Sequence, residues 1–514
     1  MTVNRHLLQS LARKSCPVKR PSINRTLCPF SSRISTDRPK PYQSIPGPEP
    51  FPLIGNTWRY LPLIGEYDIE KTPENGEANL RKFGPLVREN LFGSFSILHV
   101  FDPIDMESIF RNEGKYPNRR SHRALLKYRH DRPELYSSGG LFPENGEAWY
   151  RLRKLIQTIL LNQSQINQFI PAIDSIADQM VSNICQLRES NGSIDDLMPH
   201  LYKWALETNG RVFVGQPLDC LNLKGSKESL DLIHAIHETH EAILTTELAA
   251  IDLWKYFPTS DYKRLVKSQD TMGNIISKYI DKEKNRSSKY SDDGSQSIAS
   301  QLLENPEASD RDVFTLIMDL FLAGFDTTAF VVGFTLYHLS SHQLYQERVR
   351  SELIKLLPKK SDQITVDTLK EMKYLKACVK ESLRVNPFSI GTGRVANKEM
   401  TLSGYNVPEG TMIIVQNQVA CKQESNFPQA DQFIPERWLQ EKKKTSPFTI
   451  LPFGYGARMC IGRRLSETEI YVLTAKILRN YRIEYDNDKP FRSKTRFINV
   501  PDGPLKLRFI DLPN

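Results

Sequence analysis

The chain is poor in cysteine, and what it has is scattered. Seven cysteines stand at positions 16, 28, 185, 220, 378, 421 and 460, with no CxxC pair among them. An odd count at wide spacing argues against a disulfide framework and against a structural zinc site. A reducing compartment suits such usage. No continuous run reaches the roughly 18 apolar residues that a membrane span needs. The most apolar run near the start, residues 45–65, is broken by Pro46, Pro48, Pro50, Pro52, Arg59 and Pro62. No Walker or dinucleotide fingerprint is present, so the chain is not expected to bind NADPH or flavin itself. Internal repeats are absent too. With 514 residues, 39% of them hydrophobic and 25% charged, wholesale disorder is excluded and a large buried core is expected.

Acid is scarce at the start. Residues 1–40 hold Arg5, Arg13, Lys14, Lys19, Arg20, Arg25, Arg33, Arg38 and Lys40 against Asp37 alone, a segment charge of +8. The whole chain carries +9, which leaves +1 for residues 41–514. The segment is also rich in serine and sets Leu7, Leu8 and Leu11 beside Arg13 and Lys14. This is the composition of a mitochondrial transit peptide, and no apolar h-region suggests secretion. A basic nucleic-acid-binding protein is disfavoured, because the body of the chain is nearly neutral and shows no aromatic–basic platform.

Periodicity predicts a mainly α chain with a smaller β portion, in one large domain over 41–514. Strands are expected at 85–101, with Gly93-Ser94 as the turn, and at the C-terminus, where Leu505, Leu507 and Phe509 alternate with Lys506 and Arg508. Apolar residues from Ile166 to Ile184 keep a 3.6-residue period. Further helices are expected at 195–214, 226–246, 262–284, 311–342 and 368–386, with a polar loop at 282–297.

The sharpest chemical feature is Phe453-Gly454-Tyr455-Gly456-Ala457-Arg458-Met459-Cys460-Ile461-Gly462. Its glycines allow tight turns and close backbone approach to a flat ligand. Cys460 lies just before a helical run, Arg463 to Leu478, whose N-terminal N–H groups favour a thiolate. Arg458 can reach an anionic group on the same ligand. A buried inert cysteine is the bland alternative, and ten residues of context weigh against it.

This segment resembles the haem-binding loop of the cytochrome P450 superfamily, FxxGxRxCxG, at every fixed position. The resemblance spans essentially 41–514. It implies the P450 fold, with haem b between a long distal helix and the proximal Cys loop, and Cys460 as the axial thiolate that donates electron density to iron. Phe453 and Gly462 belong to the same haem-contacting loop. Glu381 and Arg384, spaced i, i+3, resemble with Arg437 the superfamily's buried Glu-Arg-Arg network. Ala323-Gly324-Phe325-Asp326-Thr327-Thr328 resembles its AGxDT pattern, which implies an opened groove in the long helix. There Asp326 and Thr327 would relay protons to the oxygen chemistry; a packing glycine with a back-bonded threonine is the plainer reading. Trp149 and Arg153 match a WxxxR motif that contacts a haem propionate, and Arg394 matches another propionate position. Exposed ion-pair arginines are the alternative for both.

Lys376 and Lys380, in Leu375-Lys376-Ala377-Cys378-Val379-Lys380-Glu381, resemble the mitochondrial P450 pattern whose lysines dock an acidic [2Fe–2S] ferredoxin of adrenodoxin type, fed by its reductase. Arg463, Arg464 and Lys442 to Lys444 lie near in sequence. Residues 55–67 and 116–149 resemble the arthropod mitochondrial group that makes moulting hormone. That likeness implies a steroid substrate, O2 as co-substrate and, most specifically, ecdysteroid 22-hydroxylation. Hydroxylation at carbon 2 or 20 is an alternative, and so is a haem-thiolate isomerase or dehydratase, against which an intact Asp326-Thr327 pair counts. Candidate pocket residues by family position are Ser138, Gly139, Gly140 and Leu141, then Ala323, then Pro387 to Thr392. Residues 244–258 match a region that touches the inner mitochondrial membrane from the matrix side, or equally a buried interhelical stripe. His234, His237 and His240 invite a zinc reading, but steps of three turn the last ring about 120° away; surface histidines on a helix are expected instead.

Overall fold

A computed structural model describes residues 38–512 apart from 62–63, 92–94, 223–224, 250–251, 287, 289, 291–293 and 441–444. The proposed leader therefore lies almost wholly outside the described residues, as do Gly93-Ser94 and Lys442 to Lys444.

An N-terminal lobe is built from α1 (Thr72–Phe83), strands β1 (Leu86–Asn90) and β2 (Ser96–Val100), and α2 (Pro103–Asn112). Asp102 caps α2 by accepting from the Ile104 N–H, and Pro103 at its first position costs no hydrogen bond. The helical body follows: α3 (Arg123–His130), α4 (Gly146–Leu160), α5 (Gln163–Asn167) and α6 (Ile170–Leu187). After the short strand β3 (Ser193–Ile194) come α7 (Met198–Val214), α8 (Lys227–Leu248), α9 (Ser260–Lys284), α10 (Ile298–Leu303) and α11 (Asp310–Ser341). Then α12 (Gln343–Leu356), α13 (Val366–Glu371) and α14 (Lys373–Val385) lead into β4 (Thr392–Val395), β5 (Met400–Leu402), β6 (Tyr405–Val407), β7 (Met412–Val415) and α15 (Asn417–Ala420). The chain closes with α16 (Arg463–Asn480), β8 (Tyr481–Tyr485), β9 (Ser493–Thr495), β10 (Asn499–Pro501) and β11 (Leu507–Asp511).

The largest sheet runs β1-β2-β7-β4. Strand β2 pairs antiparallel with β1 and parallel with β7, so one sheet joins residues near 97 to residues near 413. Its inward side chains, Leu98, Val100, Ile413 and Val415, bury completely in a core separate from the helical one. A second sheet, β3-β11-β8, backs the helical body.

Helix α11 is the axis of that body and packs against α7, α14, α16 and β8. It opens with a capping box in which Ser309 and Asp312 satisfy each other's backbone N–H groups. By length and hydropathy it could cross a membrane, which corrects the expectation that no such stretch exists; 83% of its most apolar window is buried in the protein, so it is a core helix. The helix expected over 368–386 is two helices. Met372 breaks it with φ −70° and ψ 65°, and the Glu352 carboxylate accepts from the N–H groups of Tyr374 and Leu375, starting α14 afresh.

Candidate functional site

The loop before α16 is shaped by its own backbone. Gly454 and Gly456 sit at φ +68° and +76°, where a side chain is strained. A Cβ on Gly456 would also collide with the Glu113 carboxylate. The Cys460 N–H donates to the Phe453 carbonyl at 2.8 Å, closing the loop on itself. Gly462 caps α16, and a Cβ there would meet nothing within 4 Å. Cys460 is closely surrounded by protein yet keeps accessible surface. Burial pushes its thiol up, while the Gly462 N–H and the positive charge of Arg153 pull it down.

Next to this loop lies an unusual concentration of buried positive charge. Arg119 and Arg458 each lie close enough to Arg394 and Arg153 to feel their charge, with Glu113 as the acid among them. Burial, reinforced by neighbouring guanidinium groups, pulls Arg119 down to about 10 and Arg458 down to about 8; burial alone pulls Arg153 to about 10. Arg394 donates to Glu113 at 2.6 Å. Arg458 donates to the carbonyls of Pro117 and Glu144, and stacks 4.1 Å over the Trp149 ring, which is 1% exposed. Arg153 donates to the Met459 carbonyl. The Nε of Arg153 and an Nη of Arg458 are buried with no partner among the described residues. Four guanidinium groups against one carboxylate need further anionic partners, since an unpaired buried charge is costly. A thiol-bearing loop and orphaned donors for carboxylates fit haem, which brings a thiolate-seeking iron and two propionates. Sequence reasoning selected Arg153, Arg394 and Arg458 but missed Arg119 and Glu113. A basic residue after Tyr116-Pro117 was the available signal for Arg119.

Behind the loop, Glu381 and Arg384 are fully buried. Glu381 accepts from Arg384 at 3.1 and 2.8 Å, from Arg437 at 2.9 Å, from the Ile434 N–H at 3.0 Å and from the Trp438 indole at 2.8 Å. Arg384 further donates to the carbonyls of Cys421, Ala430 and Gln432. Three chain segments between 421 and 438 thus meet on one ion cluster. Trp438 is a member that the motif did not name.

On α11 the AGxDT residues differ from expectation. The helix runs unbroken through them. Gly324 is a packing glycine: a Cβ would lie 2.7 Å from Asn209 of α7. The Thr327 hydroxyl donates to the Ala323 carbonyl at 3.0 Å and not to Asp326. Ala323, Gly324 and Thr327 still share one half-buried face, at i, i+1 and i+4, amid a buried helix. Thr328 reaches α16, with its hydroxyl 3.1 Å from Ser466 and 3.3 Å from Glu469. Asp326 turns toward α8, where His237 and His240 hold its carboxylate at 2.9 and 3.1 Å. These two histidines are therefore not free surface groups. Helical spacing alone could not reveal their partner 86 to 89 residues away.

The expected pocket segment 138–141 is pinned to α11. Arg129 pairs with Asp319 at 2.7 Å, both nearly fully buried, and donates to the Gly139 carbonyl, while Asp319 accepts from the Leu141 N–H. On the opposite side, Lys376 and Lys380 are half-buried on α14; Lys380 sits 4.1 Å over Trp438. Arg463 and Arg464 are exposed, bonded to Glu467 and Gln163. In 244–258, Leu248, Leu253, Tyr256 and Phe257 are exposed and Trp254 is buried, so this is no buried stripe.

Comparison with known proteins agrees with this geometry. The family model described as Cytochrome P450 matches residues 45–509. Cytochrome P450 302a1, mitochondrial, of Drosophila melanogaster is 34% identical over 91% of this chain and 94% of its own length. Probable cytochrome P450 301a1, mitochondrial, of the same organism is also 34% identical, over 91% and 87%. The 1,25-dihydroxyvitamin D(3) 24-hydroxylase, mitochondrial, of Mus musculus is 30% identical over 96% and 93%.

Proposed function

The chain belongs to the cytochrome P450 family of haem-thiolate monooxygenases, and from that premise we propose a mitochondrial steroid hydroxylase that attacks carbon 22 of an ecdysteroid. The observation that carries the catalytic part is the loop of Cys460 beside four arginines, two of which, Arg153 and Arg458, have buried, unpartnered donors among the described residues. Cys460 would ligate the iron. Arg119, Arg153, Arg394 and Arg458 would hold the propionates, with Trp149 keeping Arg458 flat. Phe453 and Gly462 flank the sulfur, and the open space at Gly462 leaves room for a planar ring. Haem bound there supplies the redox chemistry that activates O2 and inserts one oxygen atom into a C–H bond.

The protein's own work is to position and to move protons. The other oxygen atom leaves as water, which takes two electrons and two protons. Thr327, on the half-buried face of α11, and Asp326 beside it form the candidate proton path. The Glu381-Arg384-Arg437 network, with Trp438, holds the segments that lead into the Cys loop. The basic face made by Lys376, Lys380, Arg463 and Arg464 suits an acidic [2Fe–2S] ferredoxin that delivers the electrons. The exposed apolar side chains at Leu248, Leu253, Tyr256 and Phe257 suit peripheral contact with the inner membrane from the matrix side.

The substrate assignment is supported by the likeness of residues 55–67 and 116–149 to the moulting-hormone group, and by a relative whose name is that of a vitamin D hydroxylase. The test is turnover with ferredoxin, its reductase and ecdysteroid precursors that lack the hydroxyls at carbons 2 and 22. A 22-hydroxylated product is expected. Hydroxylation at carbon 2 or 20 would correct the regiochemistry alone. A Cys460→Ala variant that kept the thiolate-type band of the reduced, CO-bound protein would overturn the ligand assignment.

A further inference from the structure

Both oxygens of the Asp326 carboxylate are taken by imidazoles. His237 Nε2 stands 2.9 Å from one and His240 Nδ1 3.1 Å from the other, from neighbouring turns of α8. No lysine, arginine or backbone N–H shares them among the described residues. An anchor between two helices needs one strong partner. Here, among the described residues, the acid is served only by two imidazoles.

The three side chains form a gradient of access. Asp326 is 10% exposed, His240 15% and His237 42%. A chamber of about 230 Å³ borders all three, and Glu241, Arg496 and Phe497 line it too. Arg496 pairs with Glu70 and lies 3.8 Å from Glu241, so the wall carries charges that favour water. At about 30 Å³ per water, this volume holds several.

We propose that His237 and His240 are positioning residues for Asp326 that also feed it protons, and that the adjoining chamber is the water route from solvent to the buried acid. This rests on the monooxygenase reading above. In the step, the protonated His237 passes its Nε2 proton to an Asp326 oxygen and is left neutral with its proton on Nδ1. Asp326 then gives its proton inward and returns to the carboxylate. Once Asp326 has passed its proton on, Nε2 takes a replacement from chamber water. No other bond changes.

The local charges support the arrangement. Burial pushes Asp326 up, but the two imidazoles win and hold it at about 2. Burial pulls His237 down, but the hydrogen bond and charge of Asp326, with Glu238 and Glu241, win and raise it above the ordinary imidazole value. Tyr202 of α7 faces His237 with rings 5.4 Å apart, His122 faces His240, and Arg496 and Glu70 face the chamber. A raised histidine is protonated up to its raised pKa, so supply should fail as pH climbs through that value.

The test uses the full-length holoenzyme carrying ¹³C-labelled histidine. The His237 resonance should titrate above about 6.5, and Asp326→Asn should bring it down. In the His237→Gln/His240→Gln variant, glutamine keeps hydrogen bonds but cannot titrate. Peroxide released per product should rise about tenfold, at the low end of general acid–base effects, and its pH dependence should flatten while the reduced CO band stays intact. Single His237→Gln should give the larger share. An unmoved His237 titration, or an unchanged peroxide ratio, each overturns the proposal. Lack of the thiolate band in the wild type would instead sink the monooxygenase reading and leave the histidine coupling standing.

Discussion

Replacing Glu381 by glutamine should be among the most damaging single changes away from the Cys loop. Glu381 is fully buried and accepts five hydrogen bonds from four residues. Glutamine keeps the shape but loses the charge, and its NH2 must face a donor, because every neighbour of Glu381 in the cluster donates. Arg384 then stays ionised and buried with only carbonyls as partners. Removing one partner of a buried pair costs about 3–5 kcal/mol. Against a total of about 5–15 kcal/mol for a typical domain, that is at least about a fifth of it and up to the whole. Replacing the cluster by apolar residues often rescues such sites, but here it should not. Arg384 also satisfies the carbonyls of Cys421, Ala430 and Gln432, and an apolar side chain would orphan all three at about 1–3 kcal/mol each. The assay is haem incorporated per expressed chain, from the reduced CO band against total protein, together with the urea midpoint. Glu381→Gln and a Glu381→Leu/Arg384→Met double variant should both fall far below wild type. A wild-type midpoint in Glu381→Gln, or recovery in the double variant, would refute the reasoning.

Other expectations follow from neighbouring sites. Gly140→Ala places a side chain at φ +90° and into the Arg129–Asp319 pair, so it should loosen residues 137–141 and raise KM for the steroid more than it lowers kcat; equal effects on both would be contrary. Glu469 is pushed up to about 8 by burial, offset only by Thr328, against an unfolded value of about 4.3. The neutral acid is the tolerated form, so stability present below pH of about 4 is lost as pH rises toward 8. Glu469→Gln should flatten that slope, and an unaltered urea-midpoint curve over this range would contradict it. Charge reversal at Lys376 and Lys380 should raise the KM for ferredoxin severalfold at low salt, with the gap closing as ionic strength rises; a salt-independent defect would point to damage around Trp438 instead.

The two halves of the site were unequally legible, and the reason is range. The Cys loop is local: its glycine conformations and the helix that follows are set by neighbours within ten residues, so Phe453 to Gly462 could be read as a unit. Lys376 and Lys380 were likewise readable as neighbours on one helix, and so were Glu381 and Arg384. What could not be read is which distant groups meet. Arg119 joins Arg394 and Arg458 only because the segment after α2 lies against β4 and the Cys loop, where Asn118 bridges to Val395. Asp326 meets α8 only because α11 carries it there. The AGxDT residues show the same limit in sharper form. Their pattern predicted a disturbed helix, whereas tertiary packing accommodates each one separately. Gly324 makes room for Asn209, Thr327 returns its hydroxyl to its own backbone, and Thr328 bonds to α16. A local rule broken three times in six residues marked the place correctly. Only the packed neighbours could say that the acid in it answers to two histidines.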